Sequence, residues 1–326
     1  MTTATTIPLP QLLTHSRMSE MKRCLRRHWF RYEIGLVRDR DEQPLRLGSA
    51  VHLGLDLLGK GKSVDAAISA AIAGYAEVPG WCQSDDDLLD WQVERATVAE
   101  MIRGYAIRWA GDGATIISSE LEFCIPITNP DTGAATPLFK FAGKIDKIVK
   151  LANGSVAVRE HKTTGDSIEP TSDYWRRLRI DQQISGYYLG ARALGHDIQT
   201  VEYDVLRKPG IRPKLIKGVR ETTDQYQERL RQDISERPEF YYARQEIPRL
   251  DADLTEFQQE LWDIQQSLRS YQKRGVWFRN TAACTIMGTC PYFEPCCSGY
   301  RPDGTLPAGY KLLSDVNPEL TKGSAV

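Results

Sequence analysis

Apolar residues recur at three- and four-residue spacing over Leu12 to Leu36, Ala50 to Leu58, Val64 to Ala76 and Leu88 to Trp109, and predict helices through the first third of the chain. The period then changes to two. Glu120 to Ile127, Phe139 to Leu151 and Val156 to Thr163 read as strands, separated by turn signals at Asn129-Pro130-Asp131 and Asn153-Gly154. A helix over Asp181 to Leu194, a strand over Gln199 to Arg207 and a helix over Thr223 to Glu236, capped by Thr222 or Thr223, complete the alternation. Phe257, Leu261, Ile264, Leu268 and Tyr271 form the clearest helical stripe, as expected of core packing. Neither a repeat nor a Pro-, Gly- or Ser-rich linker divides the body. Residues 1–300 are therefore expected to form one domain, and 301–326 a Pro/Gly-rich tail that docks loosely or frays.

Composition adds bounds to this pattern. With 326 residues, 41% hydrophobic and 26% charged, the chain can bury a sizeable core, which excludes disorder and collagen-like repeats. No apolar run approaches the roughly 18 residues of a spanning helix. The start, MTTATTIPLPQLLTHSR, lacks the basic and apolar regions of a secretory signal, so a cytoplasmic protein without membrane contact is expected. Its 42 basic and 43 acidic residues nearly cancel, but not locally. Arg17 to Arg31 holds six basic residues against Glu20 alone, and Trp175 to Arg220 holds ten against four acids. Trp175, Tyr187, Tyr188 and Tyr203 are interleaved in the second stretch, a combination suited to a phosphate backbone with exposed bases. Arg176, Arg177 and Arg179 are its candidate nucleic-acid contacts, and a solvated helix face is the plainer alternative. Four of the seven cysteines cluster between Cys284 and Cys297, which in a reducing compartment reads as metal or redox chemistry.

The segment from Phe141 to Thr164 carries the densest chemistry. Along its second strand Glu160 and Lys162 project to one face, Arg159 and His161 to the other. A two-residue loop at Asn153-Gly154 would pair Asp146 with His161, whereas a three-residue loop, Ala152 to Gly154, pairs it with Glu160. The longer loop needs a left-handed residue at its end, which Gly154 supplies, and this bulged hairpin is expected. Two carboxylates and an ammonium brought together suit phosphodiester hydrolysis: the carboxylates hold Mg²⁺ or Mn²⁺, and Lys162 orients water or stabilises developing charge. An amphipathic hairpin with a wet polar face would show the same residues.

Asp146 and Glu160-His161-Lys162, with His52 in GSAVH upstream and Gln183-Ile-Ser-Gly-Tyr187 downstream, resemble the PD-(D/E)XK nuclease superfamily. The likeness is to its RecB-like exonuclease branch, including the CRISPR-associated and AddB-type members with an iron-sulfur cluster, and it runs from about Ser16 to Cys297. It implies an α/β (α+β) restriction-endonuclease-like core with a mixed central sheet flanked by helices. It also implies His52, Asp146 and Glu160 as metal ligands, with the His161 carbonyl as a fourth, and Lys162 as base or electrostatic stabiliser. Gln183 and Tyr187, one helical turn apart, become catalytic-site or DNA-positioning residues. The expected activity is exonucleolytic hydrolysis of DNA, from ends of single strands, in repair, recombination or phage- and CRISPR-related processing, with a helicase or recombination partner. The competing class is a catalytically idle DNA- or partner-binding module of the same fold.

In the iron-sulfur branch one cysteine near the N-terminus and three near the C-terminus join the chain ends. Cys24, Cys284, Cys290 and Cys296 fit that 4Fe-4S set, although Cys284 lies farther from the next ligand than the branch pattern and Cys297 competes with Cys296. Zn²⁺ is the rival, its usual short C-x2-C spacings being absent here. Cys82 and Cys124 lie outside the set, and Cys124 reads as a buried thiol.

Overall fold

The computed structural model describes residues 10–40, 42–286 and 288–320. Strand β1 (Gln11–Leu13) leads into helices α1 (His15–Arg23) and α2 (Leu25–His28), the latter continuing through a π-helical turn, Trp29–Glu33, to β2 (Leu36–Arg38). Helices α3 (Gln43–Gly59), α4 (Val64–Ala71) and α5 (Asp85–Arg108) follow. A capping box sets the start of α5, where Ser84 and Asp87 satisfy each other's backbone N–H groups. The three strands predicted at its end are β3 (Thr115–Thr128), β4 (Ala135–Lys150) and β5 (Val156–Thr164). After them come α6 (Asp173–Leu178), α7 (Gln182–Ala193), β6 (Thr200–Arg207) and a small hairpin of β7 (Leu215–Ile216) and β8 (Val219–Arg220). The chain closes with α8 (Thr223–Glu236), α9 (Pro238–Tyr241), β9 (Tyr242–Glu246), α10 (Asp251–Arg274), α11 (Phe293–Cys297) and β10 (Tyr310–Leu312). Among the described residues no helix is long and apolar enough to cross a membrane.

The central sheet is mixed. Antiparallel β3, β4 and β5 are followed by β6, parallel to β5, and by β9, antiparallel to β6. Strand β3 takes one edge of β4, and the other edge is shared: β5 pairs with its last residues, Lys147 to Lys150, and β1 runs parallel to Phe139–Phe141. Between those two pairings the sheet forks. Helices cover both faces, and the two largest cores among the described residues lie one on each face. Phe123, Phe141, Ile148, Tyr187, Phe257 and Leu261 lie in one, with α7 and α10; Val51, Leu55, Trp91, Ile102, Tyr226 and Tyr242 lie in the other, with α3, α5 and α8.

One expectation is corrected. Leu12 and Leu13 belong to a strand rather than the start of a helix, because the vacant β4 edge offers ladder bonds and Leu13 is fully buried there. The segment after Ser298 packs on the N-terminal part of the chain, where Tyr310–Leu312 pairs antiparallel with Leu36–Arg38; just before it, Tyr292 Oη donates to the Leu36 carbonyl at 3.0 Å. Residues 321–326 of the expected tail lie outside the described residues.

Candidate active site

The hairpin between β4 and β5 has the bulged form. Lys147 pairs with Arg159 and Lys150 with Val156, Gly154 closes the loop at φ 90°, and the same register sets Asp146 beside Glu160. Ladder pairing stops there. Beyond it β5 diverges, and the His161 N–H donates instead to Asp146 Oδ2 at 2.9 Å. Asp146 and Glu160 are thus held at the fork of the sheet by the strands on which they stand.

Helix α3 brings His52 to the same place, its Nδ1 3.5 Å from Asp146 Oδ2. Across the fork, Lys162 Nζ donates to Glu160 Oε1 at 2.8 Å and to Gln183 Oε1, while Gln183 Nε2 donates to Tyr187 Oη at 2.7 Å. Gln183 and Tyr187 reach the strands because α7 rides close on them. A Cβ on Gly186 would stand 2.5 Å from Phe141 and one on Gly190 2.5 Å from Phe123. His52, Asp146, Glu160, Lys162, Gln183 and Tyr187, scattered along the sequence, therefore line one open cleft of about 720 Å³.

Electrostatically the cleft is tense. Burial, reinforced by Asp146, pushes the Glu160 carboxyl up to about 8 despite Lys162. Asp146 is driven the other way: burial opposes ionisation, but the His52 hydrogen bond and charge outweigh it. Lys162 is raised against its burial by Glu160, Asp181 and Asp146, which favours the ammonium form. Glu160 is 3% exposed, and its Oε2 has no hydrogen-bond partner among the described residues. A buried acceptor left over beside a second carboxylate and an imidazole suits a hard divalent cation, so this donor set fits Mg²⁺ or Mn²⁺. As placed, no three His, Cys, Asp or Glu side chains among the described residues are gathered tightly enough to hold one ion.

The cleft also contains residues that the motif reading missed. Lys144 and Glu120 form an ion pair at its rim, and Lys208 lies along its wall. Lys144 is two residues before Asp146, so strand alternation alone could have flagged it. Glu120 gave no such signal: it adopts φ 51° on β3, uncommon for a non-glycine residue, at the position across from Asp146.

A family model described as the PD-(D/E)XK nuclease superfamily matches residues 12–297. The chain belongs to that superfamily. Among solved structures, a putative exonuclease from Eubacterium rectale is 13% identical over 89% of this chain and 88% of its own, with a TM-score of 0.45. SSO0001 is 14% identical over 74% and 81%, with a TM-score of 0.26. No curated protein matches significantly. Asp146 and Glu160-x-Lys162, on which the resemblance read from the sequence rests, stand on the strands at the fork.

Two further sets of sequence candidates have definite places in this nuclease-family chain. Arg176, Arg177 and Arg179 are exposed on α6 and just after it; Arg176 and Arg177 pair with Asp173 and Asp166, and none of the three lines the cleft. Cys24, Cys284, Cys290, Cys296 and Cys297 instead surround a separate cavity of about 450 Å³ between the α1–α2 junction and the C-terminal segment. None of the five is in a disulfide. The Asn280 N–H donates to Cys24 Sγ at 3.3 Å, and Arg279 Nε to Cys296 Sγ at 3.2 Å. Cys124 is half-buried in β3 rather than fully buried, and Cys82 lies in the second core's periphery.

Proposed function

We propose that this protein is a metal-dependent deoxyribonuclease of RecB-like type, acting on DNA from its ends. The observation that carries this is the Glu160 carboxylate, buried with an oxygen that has no partner among the described residues, beside Asp146 and Lys162 in an open cleft. His52, Asp146 and Glu160 would hold Mg²⁺ or Mn²⁺, with the His161 carbonyl as a further ligand. When bound, the ion supplies Lewis-acid polarisation of the phosphodiester and lowers the pKa of water. Lys162 already donates to two acceptors, Glu160 and Gln183, so its part is that of a fixed cation for charge developing on the phosphate. Gln183 orients Lys162, and Tyr187 orients Gln183. Lys144 and Lys208 give the cleft cations suited to a nucleic-acid backbone, and Arg176, Arg177 and Arg179 would contact it farther out.

The five-cysteine cavity supports a second part of the reading, a 4Fe-4S cluster joining the chain ends. Four thiolates are its ligand set, and N–H donors to sulfur tune such sites. A single zinc ion at Zn–S about 2.3 Å would instead draw four sulfurs around one point. Processing of DNA alongside a helicase or recombination partner follows from the RecB-like reading.

The test is cleavage of end-labelled single- and double-stranded DNA with Mg²⁺ or Mn²⁺ by the wild type and by the Asp146→Ala, Glu160→Ala and Lys162→Ala variants. The wild type is expected to shorten ends and all three variants to lose cleavage while still binding DNA. Full cleavage by the variants refutes the site, and binding without cleavage by the wild type points to an idle module. An anaerobically prepared protein is expected to be brown, with broad absorption near ~400 nm; a colourless protein containing zinc removes the cluster.

A further inference from the structure

On the face of the sheet opposite Glu160 and Lys162, the central strands carry a row of charged residues that starts at the cleft. The register aligns His161 on β5 with Asp204 on β6, and Asp204 with Arg244 on β9, so their side chains share one face. Asp204 is completely buried. Its Oδ2 lies 3.3 Å from His161 Nδ1 and 3.0 Å from an Arg244 guanidinium nitrogen, and it accepts from Tyr105 Oη of α5 at 2.5 Å. Burying a carboxylate so completely is costly unless partners converge on it, and here Tyr105 of α5 donates to it, Arg244 of β9 pairs with it and the His161 ring of β5 lies against it.

The row ends at the proposed metal ligands. The His161 ring meets the His52 ring edge-on at 6.0 Å between centroids, and its backbone N–H is the one that holds Asp146 Oδ2. Beside it, buried Lys147 donates to the Leu55 carbonyl at 2.9 Å and so ties β4 to α3, the helix of His52. Fixing the His161 ring fixes a wall against which His52 packs and the strand segment that orients Asp146.

We propose that Asp204 is a positioning residue for the metal centre, setting the orientation of His52 and Asp146 through His161. This rests on the metal-site reading above. Loss of an outer partner of this kind typically costs about 10–100-fold in metal affinity.

The test is calorimetric titration of the full chain with Mn²⁺, taking as the site the binding that Glu160→Ala removes. Asp204→Asn is expected to weaken that binding about 10–100-fold, and Tyr105→Phe, which removes a single donor to Asp204, to weaken it in the same direction by less. In cleavage assays half-saturating Mn²⁺ should rise while KM for DNA at saturating Mn²⁺ stays put, a split that general loosening of the fold would not give. If Asp204→Asn does not fold, Tyr105→Phe decides. Unchanged Mn²⁺ affinity in a folded Asp204→Asn, or in Tyr105→Phe when the first is unfolded, overturns the inference while leaving the metal site standing. A wild type with no Mn²⁺ binding that Glu160→Ala removes overturns the site and the inference together.

Discussion

Lys162 stands among Glu160, Asp181 and Asp146, and this surplus of carboxylate keeps it charged despite burial. Its position between Glu160 and Gln183 makes placement as important as charge. Lys162→Ala should lower kcat by about 10²–10³-fold, the usual cost of losing a preorganised donor to developing charge, and Lys162→Arg should not restore it because the bulkier fork cannot occupy the same two acceptors. Steady-state rates at saturating Mn²⁺ check both. A second acid acts far from the cleft. Arg229 donates to both oxygens of Glu221, at 2.9 and 2.7 Å, and holds its carboxyl at about 2 against an ordinary 4.5. The folded state therefore takes up this proton less readily than the unfolded chain. The pair's stabilisation is complete above pH 4.5 and is lost as the pH falls towards 2. Glu221→Gln should flatten that portion of the acid slope, read from urea midpoints at about pH 6 and about pH 3.

Among the elements, α7 shows how sequence and packing share the work. The Gln183 and Tyr187 spacing on one helix was legible, since residues four apart share a face. The reach of that face into the site depends on Gly186 and Gly190, whose missing Cβ atoms let α7 approach Phe141 and Phe123. Gly186→Ala is expected to cost ~1–3 kcal/mol through overpacking and to lower cleavage by displacing Gln183. Phe141→Leu in the same chain should recover part of both losses, as thermal melts and activity would show. The β4–β5 hairpin was the best-read element, because the bulged loop, its left-handed Gly154 and the Asp146–Glu160 register all follow from turn chemistry. Strand β1 was misread as helix because its local apolar spacing permits either, and only the vacant edge of β4 decides.

Across the whole molecule, backbone hydrogen bonds stitch the N- and C-terminal segments together. The Arg26 N–H donates to the Phe278 carbonyl at 3.0 Å, the Leu313 N–H to Gly35 at 2.8 Å, and β10 pairs with β2. On the proposed cluster reading the thiolates add to these bonds, and Cys24→Ser should loosen both segments together, so that limited proteolysis cuts near Arg31 and beyond Cys284 at the same, lower protease concentration. The sequence by itself determined the alternation of elements, the hairpin register and the residue types of the site, because these depend on neighbours within a few positions. The candidate ligands His52, Asp146 and Glu160 were named from it through a family resemblance. Tertiary structure alone decided that β4 shares an edge between β1 and β5, that Glu120, Lys144 and Lys208 border the cleft, and that Asp204 lies behind His161. Those facts depend on which strands lie side by side and which helix faces meet them, and contacts between residues far apart in the chain leave no local period to read.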